Sequence, residues 1–484
     1  PEPAPVAASV AFDGEVIALA PEDERQAPPP PGEPVSPTLP TPAETTLSNG
    51  LRVVVARSSD LPLISATLIV RAGAWADPQG EAGAMSMTAG MLTEGAGERT
   101  APQIAQAVES LGATLSSGAG LESSSVSLTA LSDKIAQALE IMADVVRRPT
   151  FAAEELERQR AQALDGLSVA LQSPGQVAAM AAGPVVFAGT PFGQVADGTP
   201  ASLPRLTPER LAQLHAAHYR PDNAILVLTG DVTPQAGFAL AKAAFGDWVN
   251  PAGPAPVQPP VTPQAPRQVV AIDLPGVGQA AVRLARPALP RKDEAYYPAL
   301  VANAVLGVGY SSRLNQEIRI KRGLSYGASS ALSARRTTGA FQAQAQTKNE
   351  SAPEVLDLIA AEMRRLGEAP VAQDELKARK SVLIGSFGRT LGTAGGLGGL
   401  LGELALQDVP LTEIGVYTDK VEAVDAEAVR RFARAVLAPE GASVIIAGDV
   451  ALFGDELAAR EPALRIIPAG ELDLDAPGLG LNPQ

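Results

Sequence analysis

Two histidines are the first side chains in this sequence that could bind a metal. His215 and His218 lie three positions apart, a spacing that can place both imidazoles on one side of a helix, and Glu209 is nearby. They are the only two histidines in the 484 residues, and no His-Glu-x-x-His pattern accompanies them. The spacing would allow chelation, but the partial match favours a structural role for both side chains.

Two further kinds of chemistry are excluded by what the sequence lacks. The chain has no cysteine, which rules out disulfides, thiolate metal sites and a cysteine nucleophile. The segment 388–402 is rich in glycine, but it lacks the Lys-Ser/Thr ending of a phosphate-binding loop and has no Gly-x-Gly-x-x-Gly after a strand. This segment therefore predicts a mobile or a tightly packed start of a helix rather than a nucleotide site.

Charge and hydropathy narrow the classes of partner. There are 38 Lys and Arg against 53 Asp and Glu, a formal charge of −15, and no basic run that could follow a phosphate backbone. Nucleic acid is not expected as a partner. No stretch approaches the roughly 18 apolar residues of a membrane span. The first residue is Pro1 rather than Met, which is consistent with a removed secretory signal, so we expect a periplasmic protein, with the cytoplasm as the alternative.

Proline-rich stretches divide the chain, whose 46% apolar residues suffice for two cores. Residues 1–44 read as an extended arm and residues 251–266 as a linker, because proline lacks the N–H that a helix or sheet needs. The predicted domains are therefore residues 45–250 and 267–470, followed by a tail, residues 471–484.

The two predicted domains resemble copies of each other. In both, an apolar strand ends in Gly-Asp, and similar helical segments precede it. Three matched pairs are 218, 217 and 220 positions apart: Gly230 and Gly448, Arg148 and Arg365, Glu155 and Glu375. A nearly constant offset across separate blocks indicates duplication.

Within the first copy, Asn49-Gly50 predicts a hairpin in residues 45–56, because both residues tolerate positive φ. Alternation and helical spacing predict the remaining elements: a strand at 63–71, helices at 83–92 and 101–111, paired strands at 113–130, and helices at 131–146 and 154–171. The predicted fold class is α+β, with two duplicated domains, each a mixed, mostly antiparallel sheet covered by helices.

Several segments, in this order, carry a family resemblance: Asn49-Gly-Leu-Arg-Val-Val-Val55, Arg71-Ala-Gly73, His218-Tyr-Arg-Pro-Asp-Asn223, Tyr310-Ser-Ser-Arg-Leu-Asn-Gln-Glu-Ile-Arg319 and Lys321-Arg-Gly-Leu-Ser-Tyr326. Over about residues 45–465 the chain resembles the pitrilysin/insulinase family of zinc peptidases, inverzincins similar to mitochondrial processing peptidase. The resemblance implies that the two domains form half of a clam-like chamber.

The same resemblance implies a lost metal site. Active members carry His-x-x-Glu-His on the helix that begins here near Gly83, where the imidazoles bind zinc and the glutamate activates water. Ser86, Ala89 and Gly90 occupy those three positions. The remaining glutamate ligand of the family aligns with Gly166, next to Asp165. Since one carboxylate cannot hold catalytic zinc, no cofactor is expected in this chain and it should not hydrolyse peptides alone.

Family members also use an arginine and a tyrosine from the second domain, which correspond here to Arg319 and Tyr326. The resemblance implies that the guanidinium positions substrate and the phenol stabilises the oxyanion. A homologous subunit with His-x-x-Glu-His and zinc is therefore the expected partner, with peptides as substrate. The alternative is a peptide-binding or scaffold protein without catalysis, similar to inactive core subunits in this family.

Overall fold

The computed structural model describes residues 21, 24–26, 41–58 and 61–480. The chain divides into two units, Pro1–Val35 and Ser36–Gln484. In the first unit the Glu24 amide donates a hydrogen bond to the Pro21 carbonyl at 3.0 Å. Most of the predicted arm, residues 1–44, lies outside the described residues, and the following description concerns the second unit.

The elements of the second unit alternate between strands and helices. The strands are β1 Ala43–Thr46, β2 Arg52–Arg57, β3 Leu63–Val70, β4 Gly95–Ala96, β5 Arg99–Thr100, β6 Thr114–Ala119, β7 Ser124–Leu131, β8 Ala224–Gly230, β9 Val269–Asp273, β10 Ala280–Ala288, β11 Ala328–Ala334, β12 Gly339–Thr347, β13 Ser443–Gly448 and β14 Leu464–Pro468. The helices are α1 Ala84–Met91, α2 Ala101–Ser110, α3 Ile135–Arg147, α4 Ala153–Ala170, α5 Pro174–Val186, α6 Pro208–His218, α7 Pro234–Phe245, α8 Tyr296–Gly307, α9 Ala352–Glu368, α10 Gln373–Leu391, α11 Ala394–Leu406, α12 Glu413–Glu422, α13 Ala426–Val436 and α14 Gly454–Arg460. A π-helical segment, Asn315–Lys321, lies between α8 and β11.

The predicted hairpin is present at the start of the first sheet. β1 and β2 pair antiparallel, and Gly50 in the turn has a φ of 93°, a value that favours glycine. The Asn49 side-chain amide donates to the carbonyls of Phe245 and Trp248 at 2.7 and 3.0 Å. The turn is therefore held to the end of α7 and the residues that follow it.

Two six-stranded sheets share the order of five strands, and the sixth comes from the start of the first half as β1 and from the end of the second half as β14. The first runs β1-β2-β8-β3-β7-β6 and the second, in the equivalent direction, β14-β9-β13-β10-β12-β11. In both, the pair β2–β8 or β9–β13 is parallel, and the next three pairs are antiparallel. The outermost pairs differ, because β1 is antiparallel to β2 whereas β14 is parallel to β9. The predicted α+β fold class with two duplicated, helix-covered sheets is confirmed.

Each half covers part of the other half's sheet with one helix. α5 follows the first half's long helix, yet it packs on β10 and β13 of the second sheet. α11, its counterpart in the second half, packs on β3 and β8 of the first sheet. Leu397 and Leu401 of α11 share an apolar cluster with Ile225 and Val227 of β8. The two halves therefore share their cores through exchanged helices.

The glycine-rich segment 388–402 forms the end of α10 and most of α11. A Cβ on Gly398 would lie 2.8 Å from Oγ1 of Thr229, and one on Gly402 would lie 2.6 Å from Cδ1 of Ile69. Both glycines let the helix approach the sheet closely. Of the two alternatives that the sequence left open, tight packing describes these two positions.

The linker and the end of the described chain are attached to the rest of the unit. In the linker Val261 is buried, and the Gln258 side chain accepts a hydrogen bond from Arg336 at 2.7 Å. Near the end, Leu474 and Leu479 are buried, and Asp475 accepts from Thr199 at 2.8 Å. Across the described residues, no helix combines the length and apolar character needed to cross a membrane.

Candidate functional site

The helix that should carry a metal motif, α1, begins in a tightly built corner. Gly83 precedes it with a φ of 85°, and a Cβ there would lie 2.6 Å from Cα of Gly198. The Asp77 carboxylate accepts hydrogen bonds from the backbone amides of Gly83 and Met85 at 2.8 and 2.7 Å. Burial raises the pKa of Asp77 to about 7, although both amide donors oppose this shift. The scaffold of the helix start is thus intact.

The three positions of the metal motif on α1 offer no set of metal ligands. The Ser86 hydroxyl donates to the Asp197 carboxylate at 3.2 Å. Ala89 is fully buried, and its backbone carbonyl accepts from the Ser117 hydroxyl at 2.7 Å. Apart from its chain neighbours and the nearby backbone of its own helix, Gly90 has no atom within 4 Å of the place where a Cβ would be. Neither alanine nor glycine has a lone pair to offer from its side chain.

Gly166 lies on α4, which packs beside α1. It is exposed, with nothing within 4 Å of a Cβ built there, and the neighbouring Asp165 is also exposed. The turn after α1 is joined to α4 by Glu94, which accepts from Arg158 at 2.5 Å and from Gln159 at 2.7 Å. In the part of the chain that the structure describes, no group of three His, Cys, Asp or Glu could hold a metal ion. The residues at this site do not fit zinc.

The two histidines of α6 pack among aromatic rings. His215 stacks on Tyr219 with ring centroids 4.7 Å apart, and its Nε2 lies 2.8 Å from the Val146 carbonyl oxygen. His218 is buried edge-on to Trp75, with centroids 5.9 Å apart. Burial lowers the pKa of both imidazoles. These contacts fit the structural role that the sequence favoured.

In the second half, the segment between α8 and β11 presents Arg319 and Tyr310 at the surface. The Arg319 guanidinium lies over the Tyr310 ring, 4.7 Å from its centroid. Within the described range of the chain, Arg319 has no carboxylate partner, in contrast to Arg322 of the same segment, which is paired with Glu317 at 2.6 Å. Arg319 therefore has a charge that is free to meet a ligand.

Tyr326 projects from the loop that follows the π-helical segment. Its side chain is 90% exposed. The loop itself is ordered by backbone contacts, because the Leu324 amide donates to the Ile318 carbonyl at 2.9 Å and the Leu324 carbonyl accepts from the Thr347 hydroxyl at 2.6 Å. A nearly free phenol is thus held on a fixed loop.

The base of this segment is anchored to the body of the second half. Arg313 makes two hydrogen bonds of 2.8 Å to the Glu375 carboxylate on α10. The Asn315 side chain donates to the Gly309 carbonyl at 3.0 Å and accepts from the Ala328 amide at 3.2 Å. Arg319 and Tyr326 therefore share one anchored segment, and among the described residues no hydrogen bond or cation–π contact joins them.

A cleft of about 450 Å³ lies beside Tyr326, between the start of α5 and strands β10 to β12. Arg283 of β10 lines it, together with Gln344 and Gln346 of β12. Sequence reasoning did not single out these residues. Two signals were available: one arginine inside the apolar run at the start of β10, and alternate glutamines along β12.

Two family models match the chain in succession. Residues 52–192 match insulinase (peptidase family M16), and residues 205–383 match the peptidase M16 inactive domain. An uncharacterized zinc protease of Streptomyces coelicolor is 27% identical over 405 residues, which cover 81% of this chain and 86% of that protein. YmxG, a non-peptidase homolog of Helicobacter pylori, is 24% identical over 328 residues, which cover 67% of this chain and 75% of that protein.

Solved structures agree with these matches. A peptidase M16 inactive domain from Pseudomonas fluorescens has a TM-score of 0.79 and 28% identity, covering 84% of this chain and 98% of that one. The fold, the order of the motifs and the paired family models lead to one assignment. The chain belongs to the pitrilysin/insulinase family of peptidases, M16.

Proposed function

We propose that this protein is the non-zinc subunit of a heteromeric zinc peptidase. A homologous partner with His-x-x-Glu-His would bind the metal, and this chain would complete the partner's site with Arg319 and Tyr326. The observation that carries the proposal is a contrast between the two halves. Tyr326 is 90% exposed on an anchored loop, whereas Ala89, Gly90 and Gly166 on α1 and α4 have no metal-binding atoms in their side chains. An exposed phenol without a structural contact is suited to act on a substrate.

The chemistry of the two side chains fits peptide cleavage. Attack on a peptide carbonyl builds negative charge on its oxygen, which a phenol O–H can stabilise by donating a hydrogen bond. A guanidinium can hold a substrate carbonyl or carboxylate through two donors at once. The cation–π contact with Tyr310 orients the Arg319 guanidinium without neutralising it.

The test is turnover by the purified complex of this chain with its zinc-bearing partner. We expect Tyr326→Phe to lower kcat by about 10²-fold or more, the usual cost of losing an oxyanion donor. Arg319→Ala should lower turnover by about 10²-fold because the substrate is no longer held in position, and assembly should stay intact in both variants. Arg322→Ala is the matched control, since that arginine lies on the same segment and is paired with Glu317. Full turnover in both test variants would reject the proposal.

A second function, a peptide-binding or scaffold protein without catalysis, is favoured by one specific observation: a relative of similar length is named a non-peptidase homolog. Affinity capture from the native extract, followed by mass spectrometry, distinguishes the two. A stoichiometric partner with His-x-x-Glu-His supports the peptidase subunit, and a homodimer or a partner without zinc ligands supports the scaffold.

A further inference from the structure

The cleft beside Tyr326 has a charged floor. Arg283 projects from the face of β10 that also carries Ala281 and Ala285, and it is paired with Gln344 of β12. Only 8% of its surface is exposed, yet it lines the cleft. The side chain therefore lies at the bottom of the cavity.

The charge of Arg283 has no counterion among the described residues. Its guanidinium donates one hydrogen bond, to the side-chain oxygen of Gln342, and its Nε has no hydrogen-bond partner there. Burial lowers the pKa of Arg283 to about 10. A buried, incompletely bonded cation is costly for a folded protein unless an anion compensates it.

A second positive feature reaches the same cleft from the first half. Ser173, Gly175 and Gln176 at the start of α5 line the cavity. The Ser173 side chain does not cap this helix, so the positive end of a helix of 13 residues is left without that partner. Backbone amides at a helix start and a guanidinium both favour a negatively charged group.

The remaining lining is neutral and polar. Gln176, Gln279, Gln344 and Gln346 supply side-chain amides, and none of the lining residues is acidic. Gly175 makes room for this arrangement, since a Cβ there would lie 2.1 Å from Nε2 of Gln346. Amide N–H donors around a cation suit an acceptor with several lone pairs, such as a carboxylate.

We propose that this cleft binds a carboxylate group of an extended peptide, with Arg283 and the start of α5 as the recognition elements. The inference rests on the proposed function, because Tyr326 lines the same cleft and the bound carboxylate would place the neighbouring peptide beside its hydroxyl. It adds a substrate preference: peptides with an acidic side chain or a free carboxyl terminus bind better than neutral ones.

The test uses the full chain alone and three fluorescent hexapeptides of one neutral sequence. The first has a free C-terminal carboxylate, the second a C-terminal amide, and the third is the amide with one central Gln replaced by Glu. By fluorescence anisotropy we expect at least one carboxylate peptide to bind about tenfold or more tightly than the neutral amide, as for a hydrogen-bonded charge. Which peptide gains affinity identifies the source of the carboxylate.

The variant Arg283→Gln should abolish that difference, whereas Arg286→Gln should keep it, because Arg286 lies on the opposite face of β10 and donates to the Ala438 carbonyl. Arg283→Lys retains the charge and should keep part of the preference even if the glutamine variant does not fold. Equal binding of all three peptides, no binding, or an unchanged preference in Arg283→Gln would overturn the inference. Binding by the chain alone is independent of turnover, so failure here leaves the test of Arg319 and Tyr326 unaffected.

Discussion

The two halves of this molecule share the order of five strands in their sheets but differ in the side chains that these sheets present beside the exchanged helices. In the first half, Thr67 of β3 is paired with Ser127 of β7, and their hydroxyls lie 3.5 Å apart. At the equivalent register of the second half, Arg283 of β10 is paired with Gln344 of β12. Small hydroxyls on one sheet thus correspond to a guanidinium and a long amide on the other.

The two halves also differ in the reactive side chains that their helical segments carry. α1 and α4 of the first half pack against each other and Asp77 holds the start of α1, but Ala89, Gly90 and Gly166 have no ligand atoms in their side chains. The second half presents Arg319 and Tyr326 on an anchored segment. The comparison teaches that two copies of one scaffold can carry different chemistry, because a side chain at an exposed helix position such as Gly166 can change without altering how the helix packs.

The largest expected effect is a gain in Zn²⁺ affinity when metal-binding side chains are introduced into the first half. Because a Cβ at Gly90 or Gly166 meets open space, we expect Ser86→His, Gly90→His and Gly166→Glu to fold and to bind Zn²⁺ with a Kd of about a micromolar or tighter, roughly 8 kcal/mol. Isothermal titration calorimetry measures this. Ser86→His alone is the control and should bind far more weakly. Equally weak binding by the triple variant would mean that the scaffold has changed as well as the ligands.

A smaller effect, on the free energy of unfolding, tests the packing of α11 from the second half on the first sheet. In Gly398→Ala the new Cβ would meet Oγ1 of Thr229, which is fully buried and bonded to the Ala394 carbonyl at 2.7 Å. We expect a loss of about 2 kcal/mol in the free energy of unfolding, measured with urea. The matched control is Gly399→Ala, where a Cβ meets nothing within 4 Å; it should stabilise by about 0.5–1 kcal/mol. Equal effects at both positions would argue against the close packing.

The smallest effect concerns the pH dependence of the corner before α1. Since the folded pKa of Asp77 is raised to about 7 from an ordinary 3.8, the folded state retains a proton that the unfolded state has lost. Its stabilisation is complete below the unfolded pKa and is lost as the pH rises through 7. The stability of wild type relative to Asp77→Asn should therefore fall by about 1.4 kcal/mol between pH 6 and pH 8.

The pH dependence of wild-type stability must be compared with that of Asp77→Asn, because His215 and His218 also titrate in this range. Their folded pKa values are lowered, so they change the stability with pH in the opposite direction. Their stabilisation grows as the pH rises through the unfolded value, and subtraction of the two urea curves removes it. The control is Asp293→Asn before α8, the exposed counterpart, which also accepts a backbone amide, from Ala295 at 2.8 Å. A pH-independent difference for Asp77→Asn would contradict the assigned burial effect.

Local patterns were sufficient for most of the fold. The Asn49-Gly50 turn, the strand at β3 and the helices α1 to α4 follow from short-range propensity and periodicity, and the repeat offset indicated the duplication that is seen in the two sheets. The exchange of α5 and α11 could not be predicted, because nothing in an apolar helix tells which of two similar sheets it will cover.

The site was less accessible from sequence than the fold. Arg319 and Tyr326 were selected by family resemblance, since an arginine and a tyrosine seven apart carry no chemical signal of their own. Arg283 and Gln344 meet only through strand register, and the start of α5 joins them from a remote part of the chain. Such a constellation depends on long-range pairing, which residue spacing does not encode.

The exchanged helices also have a consequence for how the chain folds during its translation. The first sheet is complete in sequence at Gly230, but Ile225 and Val227 of β8 stay without their apolar cover until Leu406 at the end of α11 has been translated. At a translation rate of about 5–20 residues per second, the nascent chain would expose this apolar surface for roughly ten to thirty-five seconds. A prematurely terminated product would keep it permanently, which makes such fragments natural clients for chaperones and proteases.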